Sequence, residues 1–240
     1  MSKGARVNEF CWMDVKTRDV PGVAAFFGAV LGWRFAVDEN DPRRATKIYL
    51  DGYPIGGVSD LSDPIYPPGT PPHVAYYLAV DDADRVTGAA VANGAELVVR
   101  PFDAGDQGRM ATLVDPGGAA FSPWQAGTFA GWRHPGLAHA PARMMLACND
   151  PERSRAFYRT VLGAEPRSAE FVRTPDVAET GARWEAILQT RDPGSVAARA
   201  RTFGGGACVR SDAGSGQPGG PVLRLTGPDG LAFQMRPVID

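Results

Sequence analysis

Two stretches decide the fold: DVPGVAAFFGAVLG, Asp19 to Gly32, and DPERSRAFYRTVLG, Asp150 to Gly163. In the first, Val23, Phe26, Phe27, Val30 and Leu31 follow the i, i+3, i+4, i+7, i+8 spacing of an amphipathic helix. Asp19 supplies an N-cap oxygen, Pro21 suits the first turn, and Gly32 can take the left-handed cap conformation. The second stretch repeats the pattern 131 residues later. Phe157-Tyr158 stands for Phe26-Phe27, and Val161-Leu162-Gly163 for Val30-Leu31-Gly32.

Two further motifs recur in the same order. AVDDADRVTGAAVANGAE, around Asp82, aligns with QTRDPGSVAARARTFGGG, around Asp192, at a shift of 110. DPGGAAFS, Asp115 to Ser122, aligns with GPDGLAFQ, Gly227 to Gln234, at a shift of 112. The chain is a tandem duplication. Each half holds two similar pieces: an apolar strand, an Asp-started helix, and short strands before a Gly-rich turn. The fold class is therefore α+β, built from four paired βαβββ-like modules. From Gly32 to Asp82 is 50 residues, but from Gly163 to Asp192 only 29. The third module is thus about 21 residues short, opposite the segment that holds IGGVSDLSDPIYPPGTPPH. Loop chemistry runs through GTFAGWRHPGLAHAPA, Gly127 to Ala142. The expected domains are 1–127 and 142–240, with 128–141 as linker.

Composition narrows the function. The 240 residues are 44% hydrophobic, enough for real cores. Lys plus Arg (25) nearly balance Asp plus Glu (27), so no basic field calls for nucleic acid. The N-terminus lacks the apolar core of a signal peptide, and no run of eighteen apolar residues could span a membrane. Cys11, Cys148 and Cys208 fit neither a disulfide framework nor a C-x-x-C metal clip, which suggests a cytoplasmic protein. The Gly-rich stretch FGGGACVRSDAGSGQPGG opens no helix and reads as a flexible loop, not a phosphate cradle.

The modules, the FF…VLGW and FY…VLG helices, and the DPGG…F and PDG…F closing hairpins resemble the vicinal oxygen chelate superfamily. That family contains glyoxalases, extradiol dioxygenases, and bleomycin- and fosfomycin-resistance proteins. The order CWMDVKTRD…FFGAVLGW…PPH…YYLAVDDAD…PFDAGDQGRM…DPGG is most similar to tandem-domain members labelled glyoxalase-like or hydroxylase. The resemblance implies tandem glyoxalase-like domains, and the shortened third module should leave the second half with a reduced or closed cavity, so that the first half carries the ligand site.

It also implies metal-ligand positions, which can be tested in turn. Seven residues before each helix-starting Asp stand Trp12, Ala75, Arg143 and Glu185. The closing-strand positions are Ser122 and Gln234, and GYPIGGVSD offers Ser59 or Asp60 without a clear register. Trp and Ala cannot bind a divalent cation, and Ser is a poor ligand. Glu185 and Gln234 could, but Arg143 would set a cation beside the metal. The expectation is no metal and no cofactor. His73, His134 and His139 read as solvated or capping residues.

Strand alternation puts Phe10, Trp12 and Asp14 on one side of the first strand and Cys11, Met13 and Val15 on the other. In this fold the ligand-position side faces the cavity. Trp12, Asp14, Tyr77, Phe102, Ser122 and Trp124 are therefore the candidate ligand-binding residues, with Arg109 a possible charge nearby. Large aromatics with few polar groups suit a flat aromatic natural product or drug. The alternative is a cofactor-independent lyase, isomerase or hydroxylase-like enzyme acting on a polyketide-type substrate. There Asp14 would be the base, and Tyr77 or Arg109 would steady an enolate. The chain could be a monomer, pairing its own halves, or a homodimer.

Overall fold

The structure, a computed structural model, describes residues 6–39, 41, 44–210 and 222–238. The first module runs β1 (Phe10–Thr17), α1 (Val20–Leu31), β2 (Arg34–Val37), β3 (Thr46–Leu50) and β4 (Tyr53–Asp60). The second runs β5 (His73–Val80), α2 (Ala83–Ala92), β6 (Glu96–Asp103), β7 (Gly108–Val114) and β8 (Ala120–Ala126). The third has only β9 (Pro141–Cys148), α3 (Pro151–Leu162), β10 (Ala169–Arg173) and a one-turn helix, α4 (Val177–Thr180). The fourth holds β11 (Arg183–Thr190), α5 (Pro193–Thr202), β12 (Gly206–Arg210), β13 (Val222–Thr226) and β14 (Ala232–Pro237).

Strands of the first two modules form one sheet, ordered β2-β3-β4-β1-β5-β8-β7-β6, and the rest form β10-β9-β11-β14-β13-β12. The shortening of the third module is now explicit. β4 pairs parallel to β1, and β10 pairs parallel to β9 in the same way. The third module therefore keeps the strand beside its first and lacks counterparts of β2 and β3. The stretch from Phe203, expected as a loop, instead contributes β12 over Gly206–Arg210. Its continuation from residue 211 lies outside the described residues.

All four long helices start on an aspartate whose side chain accepts a backbone N–H. Asp19 takes Gly22, Asp82 takes Arg85, Asp150 takes Arg153 and Asp192 takes Ser195. Each bond satisfies a donor that the first turn leaves orphaned. At Gly22 the cap comes so close that an added Cβ would lie 2.1 Å from Asp19 Oδ2. α1 and α3 both end on a left-handed glycine, Gly32 at φ 76° and Gly163 at φ 75°.

Packing groups the chain into two compact units that cut across the linear halves. One comprises Met1–Trp12, Ala75–Arg133 and Arg143–Glu185; the other Met13–Val74, His134–Ala142 and Ala186–Asp240. The aromatic repeat explains the grouping. In the second unit, Phe27 of α1 is fully buried and meets Phe233 of β14 edge-on at 5.4 Å, with Trp33 stacked at 5.1 Å. In the first unit, the equivalent Tyr158 of α3 is fully buried and meets Phe121 of β8 at 5.3 Å, with Trp184 at 5.3 Å. Each helix of the FF or FY pattern thus buries its second aromatic against the closing strand of a module from the other half. Such rings carry most of a core's apolar area. Among the described residues, no helix is long and apolar enough to cross a membrane.

The loop 127–140 is not a solvated tether. His139 lies at φ 67°, its Nδ1 3.1 Å from the Leu31 carbonyl at the end of α1 and its Nε2 3.1 Å from Thr190 Oγ1. The Trp33 indole donates to the His139 carbonyl at 2.9 Å. His139 is a helix-capping residue held on both ring nitrogens.

Candidate functional site

The alternation of β1 is as the sequence suggests: Cys11, Met13 and Val15 are fully buried, and Trp12, Asp14 and Lys16 are partly exposed. In the first unit, Tyr77 lies opposite Ser122 and Ala79 opposite Trp124 across the β5–β8 ladder. Met110 pairs with Trp124, and Phe102 with Met110, which carries the same face out to the edge strand β6. Trp12, Tyr77, Met110 and Trp124 pack together there around one further ring, Phe129.

Phe129 comes from the segment read as linker. It stands edge-on to Trp12 at 4.9 Å and to Trp124 at 6.1 Å. The Trp124 indole donates to the Phe129 carbonyl at 3.0 Å, and Tyr77 meets Trp124 edge-on at 6.0 Å. Backbone bonds from Gly127, Thr128 and Phe129 to the turn at Asp106 and Gln107 fix the loop's path. The bond from Trp132 N–H to the Cys11 carbonyl anchors its far side. No periodic pattern marks Phe129, because a loop ring gains its partners only through tertiary packing.

The remaining sequence candidates separate. Phe102 is 44% exposed at the rim. Ser122 is buried, its hydroxyl 3.1 Å from Thr112 Oγ1. Arg109 is not at this face: it forms ion pairs with Asp84 of α2 and with Asp103, at 2.6 and 2.9 Å. Asp14 belongs to the other compact unit, where it sits in a polar network. Lys16 Nζ lies 2.6 Å from Asp14 Oδ2, and Ser59 Oγ donates to the same oxygen at 2.7 Å. The β1–β4 ladder settles the open register against both Ser59 and Asp60: as Tyr77 lies opposite Ser122, Asp14 lies opposite Gly57, while Lys16 faces Ser59 and Thr17 faces Asp60. Burial opposes the Lys16 charge, but the charge and hydrogen bond of Asp14, then Tyr66, hold its pKa above the ordinary value. A base committed to a lysine and a serine is poorly placed to abstract a proton, and neither Arg109 nor Tyr77 joins it.

In the first half the metal-ligand positions do not fit a divalent cation. Trp12 and Ala75 offer no donor, and the Ser122 hydroxyl is engaged with Thr112. In the second half, Arg143 is ion-paired with Glu170 at 3.2 Å and Arg183 with Glu185 at 2.8 Å. Guanidinium groups stand against these two carboxylates, where a metal would have to compete with them. Glu170, 9% exposed on β10, is the counterpart the shortened module concealed from the sequence reading. Among the described residues, no three His, Cys, Asp or Glu side chains are grouped to hold a metal ion.

A concavity of about 650 Å³ lies on the helical side of the first unit. Asp115, Cys148, Asp150, Arg153 and Phe157 are among its lining residues. Burial raises the pKa of both Asp115 and Cys148.

Comparison with known proteins agrees with the fold. Residues 12–122 match the family model of a glyoxalase-like domain. A Mycobacterium tuberculosis protein named as a candidate glyoxylase, CFP32, is 29% identical over 221 residues, covering 81% of this chain and 82% of its own. The anthracycline biosynthesis protein DauV of a Streptomyces species is 27% identical over 224 residues, covering 81% of each chain. Among solved structures, the Mn(II)-bound glyoxalase of Novosphingobium aromaticivorans superposes with a TM-score of 0.64 at 14% identity, over 98% of this chain and 83% of that one. A catechol 2,3-dioxygenase superposes at 0.61 and 12% identity, over 98% and 89%. Residues 12–122 are thus similar to a glyoxalase-like domain, and the chain shares the fold of these glyoxalase and dioxygenase structures.

Proposed function

We propose that this protein binds a flat aromatic small molecule without a metal, on the face formed by Trp12, Tyr77, Met110 and Trp124. One observation carries the reading: at a position where the fold would place a metal donor, this chain presents Trp12, its ring edge-on to Phe129, which also meets Trp124. Trp12 and Tyr77 are only partly buried, so a ligand ring can pack edge-to-face or offset against them. Burial of a ligand contributes about 25 cal/mol per Å² of apolar surface, and each good ring pair roughly 0.5–1.5 kcal/mol more. DauV and its relative DnrV bear names from anthracycline biosynthesis, and such compounds contain a planar fused-ring system. That supports a planar ligand here.

The test is fluorescence titration with anthraquinone-2-sulfonate as a soluble flat probe, alongside elemental analysis of the purified protein. The expected result is saturable tryptophan quenching, weakened about ten- to a hundredfold by Trp12→Ala with the fold intact. Unchanged affinity in Trp12→Ala would reduce Trp12 to core filling. A stoichiometric transition metal whose chelation abolishes binding would overturn the metal-independent reading.

A further inference from the structure

The second unit carries a different constellation, with chemistry of its own. Lys16 Nζ has three protons and three oxygen acceptors: Asp14 Oδ2 at 2.6 Å, the Tyr66 hydroxyl at 3.2 Å and Ser59 Oγ at 3.4 Å. Ser59 spends its own proton on Asp14 at 2.7 Å. Every donor in the set is committed except one. Tyr66 accepts from the ammonium and, among the described residues, donates its proton to no protein atom.

Position makes that donor usable. Tyr66 lies on the loop after β4, its backbone N–H bonded to the Asp63 carbonyl, and its side chain is only partly buried. Lys16 also sits 5.0 Å from the centre of the Tyr66 ring, so the cation fixes both ring and hydroxyl. On the sheet below, Gly57 lies opposite Asp14 on one side and Lys47 on the other. Gly57 is buried and puts no side chain between these two charged residues. Lys47 is itself occupied by Asp38 at 2.5 Å. His73 is the other titratable group near the pair, and burial keeps it below its usual pKa, hence neutral at mildly alkaline pH.

We infer that Tyr66, backed by Lys16, is the hydrogen-bond donor of an oxyanion site for ligands that present a phenolate, enolate or carbonyl oxygen. A hydroxyl that already accepts a bond from an ammonium is a stronger donor, because the cation withdraws charge from its oxygen. The oxygen it favours is one that gains negative charge. Asp14 then positions the lysine and is not itself a base. This assignment stands on residues of the second unit and does not depend on the aromatic face.

The probe is 4-nitrophenol, whose phenolate absorbs in the visible, titrated between pH 5 and 9 with and without protein; 4-nitroanisole, which has no ionisable oxygen, is the control. Bound nitrophenol should ionise at lower pH than free, and Tyr66→Phe should lower nitrophenolate affinity about tenfold while leaving 4-nitroanisole unaffected. Lys16→Met should also abolish the shift in ionisation, with circular dichroism confirming that both variants fold. Nitrophenol that ionises alike bound and free, fails to bind, or binds Tyr66→Phe as tightly as the parent would overturn the site.

Discussion

Tyr158 donates its hydroxyl to Asp115 at 3.0 Å, inside a core where the tyrosine is fully buried and the aspartate nearly so. The Trp184 indole in turn donates to Tyr158 at 2.8 Å, while the backbone N–H groups of Gly117 and Ala119 fill the other Asp115 oxygen. The DPGG turn, read in the sequence as a closing hairpin, is thus tied to the helix of the next module. Removing the hydroxyl leaves a buried carboxylate oxygen and an indole N–H short of partners. Tyr158→Phe should therefore cost about 1–3 kcal/mol of stability, measured by urea denaturation; a loss below 0.5 kcal/mol would mean that water replaces the hydroxyl without penalty.

The same carboxylate sets a pH dependence. Burial raises the Asp115 pKa in the folded state, with the backbone bonds opposing the shift. The folded protein therefore holds the Asp115 proton more tightly than the unfolded chain, so this group's contribution is full below the unfolded carboxylate pKa. It is lost as pH rises from there through the folded pKa. Asp115→Asn should flatten that descending segment of the stability–pH curve, even if it lowers the curve as a whole. An unaltered slope in the variant would assign the effect to another group.

Histidines act with the opposite sign. Burial lowers the pKa of His73, His134 and His139, so the unfolded chain binds more protons below the ordinary histidine value. Their contribution is present above about pH 6.5 and is lost as pH falls through the folded values. Unfolding midpoints should drop between pH 7 and pH 5, and His139→Gln should reduce the drop. Identical pH profiles for parent and variant would exclude His139 as a source.

Gly108 is the packing constraint beneath the aromatic face. A Cβ there would lie 2.5 Å from the Gln125 carbonyl oxygen and 2.6 Å from the Trp124 ring. Gly108→Ala must push either backbone or indole, at a cost of about 1–3 kcal/mol. A shifted tryptophan emission maximum should accompany the loss; wild-type stability and emission together would show that the strand accommodates the methyl freely.

Phe129 tests whether the aromatic face is a site or a closed core. If a ligand ring takes the position between Trp12 and Trp124, the Phe129 ring competes with it. Phe129→Ala should then tighten binding of anthraquinone-2-sulfonate several-fold while lowering stability. Weakened binding would instead make Phe129 part of the ligand's wall.

The sequence by itself determined the repeated architecture. Aspartate caps, helical apolar spacing and closing Gly-rich turns are local signals, and each recurs in the second half at offsets that locate the shortened module. Alternation along β1 correctly separated Trp12 and Asp14 from Cys11 and Met13, because strand periodicity is also local. What it could not determine is which distant elements meet. Phe129 against Trp12, Tyr66 against Lys16, Arg109 turned toward Asp84, and Glu170 beside Arg143 all join residues whose partners lie on other strands or loops. Those pairings follow from loop paths and strand register. Both depend on contacts between residues far apart in the chain, which no local pattern encodes.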